Sequence, residues 1–212
     1  FHVLPGSTTF HDLVTGDVTV DHAQIDDFVI VRRDGFPLYN LAAPVDDGLM
    51  EMTHVLRGLD LQPSTPRQMM LMQALGLPVP SYGHMPLIHG PDGQPLSKRW
   101  GEVSIGWYRE HGFLPEAMVN YLALLGWGHG DDVIMSRDQL SAWFDVADVG
   151  ASPARFDLEK LTWVNGEYIR ALSDSELAAR LTPFLARAKL VEDPPSEAEA
   201  VLVAAVASLV KT

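Results

Sequence analysis

The feature that most constrains this chain is a strand–helix–strand pattern over residues 53–88. An extended run at Thr53–Arg57 precedes a helix with marked ends, and a buried strand is predicted near His84–Ile88. In the helix Thr65 is placed to N-cap, Pro66 takes the first helical position, Gln68 completes a capping box and Gly76 ends the run. Strand, crossover helix, strand is a βαβ unit, which implies a parallel sheet. One such unit is too little sheet to stand alone, so part of the fold is expected to lie outside this sequence.

The flanks extend this pattern. Residues Phe28–Leu41, "FVIVRRDGFPLYNL", read as two β-rich runs split by Asp34-Gly35, a hairpin signal. Upstream, "TFHDLVTGDVTVDHAQIDD" predicts short strands and turns. That opening has no expected helix and little expected core, and reads as the tail of an element that begins earlier. A short helix is expected over Asp46–Met52. Beyond residue 103 the chain is helical. "SIGWYREHG" ends at Gly112, and "LPEAMVNYLALLG" runs from Pro115 to Gly126. "SRDQLSAWF" carries Ser136 and Gln139 in capping-box positions. "FDLEKLTWVNG" runs from Asp157 to an expected stop at Asn165-Gly166. Two more capping boxes, Ser173 with Glu176 and Ser196 with Glu199, flank a hinge-like "VEDPPSEAE". The Trp, Leu and Met residues recur at helical spacing and predict core. The closing "LVAAVASLVKT" reads as an amphipathic helix that breaks off.

Of 212 residues, 47 % are hydrophobic and 20 % charged, enough for one large domain or a few small ones. No apolar run is long enough to span a bilayer, so no membrane partner is expected. The absence of cysteine excludes a disulfide framework and a thiolate zinc site, so no zinc is expected and a cytoplasmic setting fits. Eight histidines lack metal-ligand spacing; His2, His11, His84 and His89 read as ordinary loop or core residues. A formal charge of −13 argues against a bulk electrostatic nucleic-acid binder but permits a local patch.

Against that acidity, "QPLSKRWG" places Lys98 and Arg99 directly after Ser97 in a Gly/Pro-rich loop. Lys98 offers a mobile point charge, Arg99 a planar fork and Ser97 a hydroxyl, a set suited to phosphate. The Walker pattern is absent, so this is not a P-loop. On the residues alone a plain surface loop is the favoured reading. Likewise Arg57 fits a pair with Asp46 or Asp47, and Tyr39 an exposed hairpin aromatic.

The ordered segments "DDGLMEMTHVLRGLD", "STPRQ", "HMPLIHGPDGQPLSKR", "YREHGFLPEAMVNYLALLGW" and "FDLEKLTWVNGEYI" resemble bacterial glutamyl-tRNA synthetase, a class I aminoacyl-tRNA synthetase. The resemblance runs from the hairpin to at least Leu185. It implies an α/β second half of a Rossmann-type catalytic domain, an all-α stem-contact domain and the start of a helical anticodon-binding domain. The implied limits are 1–45 for the end of an acceptor-binding insertion, 46–91 for the Rossmann half, 92–172 for the stem-contact domain and 173–212 for the anticodon-binding start. The family's His-Ile-Gly-His half-fold has no counterpart here, so a chain of this extent alone is expected to be inactive.

The resemblance also implies roles. "PLSKR" matches the family's Lys-Met-Ser-Lys-Ser type loop over ATP, with Lys98 as its second lysine and Ser97 and Arg99 beside the phosphates. Tyr39 and Arg57 match positions that hold the side-chain carboxylate of glutamate. Asp60 matches an acid near the amino-acid and ATP sites, and Ile88 a position whose backbone approaches adenine. Arg99, Arg109, Arg137, Arg155, Lys160 and Arg170 become candidates for tRNA backbone contacts. The implied activity is glutamate–tRNA ligation, with ATP and Mg²⁺, glutamate and tRNA(Glu), and with tRNA(Gln) as an additional candidate. Two positions depart from the pattern: Pro95 replaces the loop's first lysine, and Leu59 stands where "RGED" or "RAEE" has an acid. These departures and the truncation favour a second reading, a non-catalytic tRNA- or protein-binding module derived from the synthetase. Tyr39, Arg57 and Lys98 oppose it. A third reading, the truncated paralogue that glutamylates queuosine in tRNA, is opposed by the helical segments after the loop.

Overall fold

The computed structural model describes residues 1–96 and 104–209. The chain divides into two compact units, the first built from Phe1–Leu96, Leu125–Trp127 and Trp143–Phe156, the second from the other described residues.

The first unit opens with a hairpin, β1 (Ser7–Asp12) and β2 (Gly16–Asp21), paired antiparallel along their length. Helix α1 (Tyr39–Leu49) follows, then β3 (His54–Gly58), a 3-10 segment (Leu59–Ser64), α2 (Thr65–Leu75) and β4 (Ser81–Met85). The four strands form one mixed sheet in the order β2-β1-β4-β3. β3 and β4 run parallel across the α2 crossover, as the βαβ pattern predicts. The sheet therefore joins strands from either side of the expected boundary at residue 45. A short parallel pair, β5 (Ile88–His89) and β6 (Ala154–Arg155), completes this unit.

Phe10 of β1, Tyr82 of β4 and Met69 of α2 form a buried cluster, with Val18 and Val55 packed against it. The opening stretch thus supplies core that its sequence did not promise. Desolvation pushes the Tyr82 phenol up to about 12, so the ring packs as a neutral group and its hydroxyl reaches the Met72 sulfur at 3.8 Å. Gly76 closes α2 in the left-handed region at φ +67, where glycine carries no Cβ penalty.

Several local expectations are corrected. The hairpin expected over Phe28–Leu41 is present but confined to Ile30–Leu38, around Gly35 at φ +83. It has one bridge, Val31 with Pro37, and cross-strand bonds from Arg32 N to Phe36 O and from Leu38 N to Ile30 O at 2.8 Å each. Tyr39, Asn40 and Leu41 are helical, and α1 replaces the helix expected at Asp46–Met52. Its start was hidden because Leu38 caps without a side-chain bond, and Pro44 lies inside the helix. Packing overrides both signals: Pro44 and Gly48 are buried, and a Cβ on Gly48 would lie 2.9 Å from Leu77 Cδ1. The strand expected near His84–Ile88 ends at Met85, because Pro86 cannot donate to a ladder.

The second unit is helical: α3 (Ile105–Glu110), α4 (Pro115–Leu124), α5 (Arg137–Trp143), α6 (Leu158–Ala171), α7 (Asp174–Arg187) and α8 (Glu197–Leu209). Ser136 and Gln139 exchange the capping-box bonds before α5, as do Ser173 and Glu176 before α7. Helix α6 does not stop at Asn165-Gly166. The Asn165 amide is consumed by tertiary bonds, accepting from Leu114 N at 2.8 Å and donating to Gly112 O at 3.2 Å. Asn120, fully buried on α4, accepts from Met135 N at 2.6 Å and donates to Val133 O at 2.9 Å. Asn120→Ala strands those backbone groups, so a loss of about 2–4 kcal/mol is expected, readable as a lowered urea midpoint.

Candidate active site

Arg57 lies one residue before the end of β3, and its register partner on parallel β4 is His84, also one residue before the end. Both side chains therefore leave the same face of the sheet near the carboxyl ends of its parallel strands. In open α/β sheets that edge is where ligand crevices form. All five Arg57 N–H groups have acceptors. Nε donates to His84 Nε2 at 3.1 Å. Nη1 donates to Gln68 Oε1 at 2.8 Å and to the Tyr39 hydroxyl at 3.2 Å. Nη2 donates to Thr65 Oγ1 at 2.8 Å and to the Leu61 carbonyl at 3.4 Å. The guanidinium carbon also stands 5.2 Å from the centroid of the Tyr82 ring, a cation–π distance.

Behind His84 is Asp12, and both side chains are fully buried. Asp12 Oδ2 contacts His84 Nδ1, while Oδ1 accepts from the backbone N–H of His84 at 3.1 Å and of Val14 and Thr15 at 3.0 Å each. Arginine can only donate, so His84 Nε2 must accept and its ring proton sits on Nδ1, facing Asp12. Burial opposes the Asp12 charge, but the hydrogen bonds from the His84 ring and the three backbone N–H groups outweigh it. They hold the carboxyl well below the usual carboxylate range.

The structure thus brings Tyr39 and Arg57 into direct contact. Among the described residues Arg57 forms its hydrogen bonds with neutral groups, not with Asp46 or Asp47. Asp47 senses Arg57 at a distance: burial raises its carboxyl, and the guanidinium partly offsets that rise. Tyr39 is the first residue of α1, half exposed, and not a hairpin aromatic. Asp60 is exposed in the 3-10 segment, its carboxylate folded so closely over Gly58 that a Cβ there would collide with Oδ1. Ile88 begins β5, and its carbonyl is taken by the Leu96 N–H at 2.9 Å.

That last bond belongs to a small hairpin over Ile88–Leu96, turning at Asp92 and at Gly93 (φ +75). Its other cross-strand bond runs from Gly90 N to Gln94 O at 2.8 Å. Neither bond needs an N–H from residue 95, so Pro95 fits without an unpaired group. Ser97, Lys98 and Arg99 lie outside the described residues.

The other candidate cations for tRNA contact are exposed: Arg155 on β6 in the first unit, and Arg109 on α3, Arg137 on α5, Lys160 and Arg170 on α6 in the second. Arg170 is paired with Glu167. Arg109 lines a groove of about 610 Å³ with Glu110, Phe184, Arg187 and Asp193, a wall of mixed charge. Among the described residues no group of three or more His, Asp or Glu could hold a metal ion, and no helix is long and apolar enough to cross a membrane.

Asp12, Thr65, Gln68 and His84 were missed as site residues by sequence reasoning. Thr65 and Gln68 have the spacing of a capping box, yet α2 is entered through Ser64 without a side-chain cap bond, and both side chains turn to Arg57. The legible signal was two ionisable residues, Asp12 and His84, at core-facing positions of short strands.

Comparison with known proteins gives a consistent result. Residues 3–163 match the family model for tRNA synthetases class I (E and Q), catalytic domain. The glutamate–tRNA ligase of Nitrosospira multiformis is 51 % identical over 183 residues, covering 86 % of this chain and 39 % of that protein. That of Bordetella bronchiseptica is 49 % identical over 184 residues, covering 87 % and 38 %. A crystal structure of a glutamate tRNA ligase from Elizabethkingia meningosepticum, in complex with its amino acid, superposes with a TM-score of 0.80 at 33 % identity, over 94 % of this chain and 43 % of that one. The chain spans about two fifths of the length of the curated relatives it matches. From the matched residues, the parallel β3–β4 pair and the likeness to solved relatives, the chain belongs to the family of class I tRNA synthetases (E and Q), catalytic domain.

Proposed function

We propose that this chain is part of a glutamate–tRNA ligase. The enzyme activates glutamate with ATP to glutamyl-adenylate and transfers the acyl group to the 3′ end of tRNA(Glu). The observation that carries this reading is the Arg57–Tyr39 pair at the carboxyl edge of the β3–β4 sheet. A guanidinium fork beside a phenolic O–H suits a carboxylate and disfavours an amide, whose NH₂ would face further donors. The second unit supplies the stem-contact helices and the beginning of the anticodon-binding domain. Arg109, Arg137, Arg155, Lys160 and Arg170 approach the tRNA backbone, where contacts position the RNA without reading its sequence.

In the first step a glutamate α-carboxylate oxygen attacks the α-phosphorus of ATP; a new P–O bond forms and pyrophosphate leaves. A ribose hydroxyl then attacks the activated carbonyl, and AMP leaves. The protein supplies position and charge, not a covalent nucleophile. Arg57 and Tyr39 hold the side-chain carboxylate, Asp60 and Ile88 border the nucleotide, and Ser97, Lys98 and Arg99 meet its phosphates. Mg²⁺ travels with those phosphates, in keeping with its preference for few protein ligands.

The test is glutamate-dependent ATP–pyrophosphate exchange by the protein translated from the whole reading frame. Lys98→Ala is expected to slow exchange about 10–100-fold, since each 1.4 kcal/mol of lost charge stabilisation is tenfold. Unchanged exchange removes Lys98 from the mechanism. The second reading, a non-catalytic module, is favoured by Pro95 and Leu59; an absence of exchange in the wild-type protein selects it.

A further inference from the structure

The Arg57 guanidinium is saturated before any ligand arrives, and its five bonds are unequal. The bonds to Thr65 and Gln68 are 2.8 Å, and Nε is held by the buried His84 ring. The two longest, 3.2 Å to the Tyr39 hydroxyl and 3.4 Å to the Leu61 carbonyl, sit one on each terminal nitrogen. We propose that Thr65, Gln68 and His84, the last braced by Asp12, are positioning residues that hold the guanidinium fast, while Tyr39 and Leu61 are its exchangeable partners. This deepens the glutamate reading and rests on it.

A carboxylate accepting from both terminal nitrogens makes shorter, charge-assisted bonds than the two it displaces. Tyr39, released as an acceptor, is then free to donate its proton to the same carboxylate. The three retained acceptors already fix the fork, so the ligand need not order it.

Gln68 supplies an independent sign of this design. Its Oε1 must face Arg57, because the reversed amide would aim NH₂ at a group that only donates. That orientation leaves Gln68 Nε2 buried without a partner among the described residues. A buried orphan donor is uncommon and needs a reason. Here the reason is the acceptor at the other end of the amide. His84 is constrained in the same way, since Asp12 fixes the ring tautomer that leaves Nε2 free to accept.

The experiment uses Thr65→Val and Gln68→Met, which keep side-chain volume and remove the acceptor, with His84→Leu and His84→Gln as a pair. KM for glutamate and for ATP are measured by pyrophosphate exchange in the protein from the whole reading frame. Each acceptor loss is expected to raise the glutamate KM about tenfold or more, with the ATP KM unchanged within about twofold. His84→Gln, which offers an oxygen to Arg57, recovers most of what His84→Leu loses. Should one variant fail to fold by circular dichroism, the others decide. With an active wild type, a glutamate KM that stays level or moves together with the ATP KM overturns the positioning roles alone. A wild type without glutamate-dependent exchange overturns the functional reading and these roles with it.

Discussion

Arg57→Ala is expected to raise the KM for glutamate by about 10²–10³-fold while leaving the KM for ATP within about threefold. Truncating one partner of a desolvated, hydrogen-bonded charge pair costs roughly 2–5 kcal/mol, and each 1.4 kcal/mol is tenfold. The loss falls on one substrate because Arg57 faces Tyr39 and α2, while the nucleotide is assigned to Asp60, Ile88 and the segment after Leu96. Arg57→Lys is expected to rescue little. An ammonium carries the charge but has three donors on one atom, too few to keep Thr65, Gln68 and His84 and still fork onto a carboxylate. Exchange assays with glutamate and glutamine as competing substrates check this. A parallel fall for both substrates and for ATP would mean that Arg57 supports the fold, not the choice of amino acid.

The largest expected effect on stability is at Asp12. Asp12→Ala removes the acceptor for three backbone N–H groups and for the His84 ring, all deep in the sheet. A loss of about 3–5 kcal/mol is expected, the usual result of deleting one member of a buried, hydrogen-bonded pair. The pH dependence has a definite sign. The folded carboxyl is held below its unfolded value of 3.8, so its contribution is complete well above that pH. It is lost only as pH falls from about 4 towards the depressed folded value. Urea midpoints for wild type and variant should therefore differ most near neutrality and converge in acid. A gap that persists unchanged at pH 3 would assign the stability of this strand pair to packing. Asp12→Asn should be nearly as damaging: an NH₂ aimed at His84 favours the wrong ring tautomer and turns an N–H towards Arg57.

The arginine–tyrosine pair was expected from resemblance, whereas the residues alone favoured a surface ion pair for Arg57 and an exposed hairpin aromatic for Tyr39. Arg57 illustrates why. Its sequence neighbourhood offers Asp46, Asp47 and Asp60, all of them plausible partners by charge. The folded chain instead surrounds it with neutral acceptors from β4, α2 and the 3-10 segment. Thr65 and Gln68 were legible as a pair, but their i, i+3 spacing serves equally to cap a helix or to present two acceptors on one face. Only the position of Arg57 across the crossover separates the two uses.

Hydrophobic periodicity and end signals were sufficient for the parallel βαβ unit, for α2 with its Gly76 stop, and for the capping boxes of the helical unit, because these depend on local backbone preference. Pairing across long separations was settled by the folded chain. The Asp12 strand lies beside β4, seventy residues on, and α1 runs through a proline because its buried face gains more than the missing N–H costs. Burial makes such contacts strong, and burial is a property of where distant segments meet.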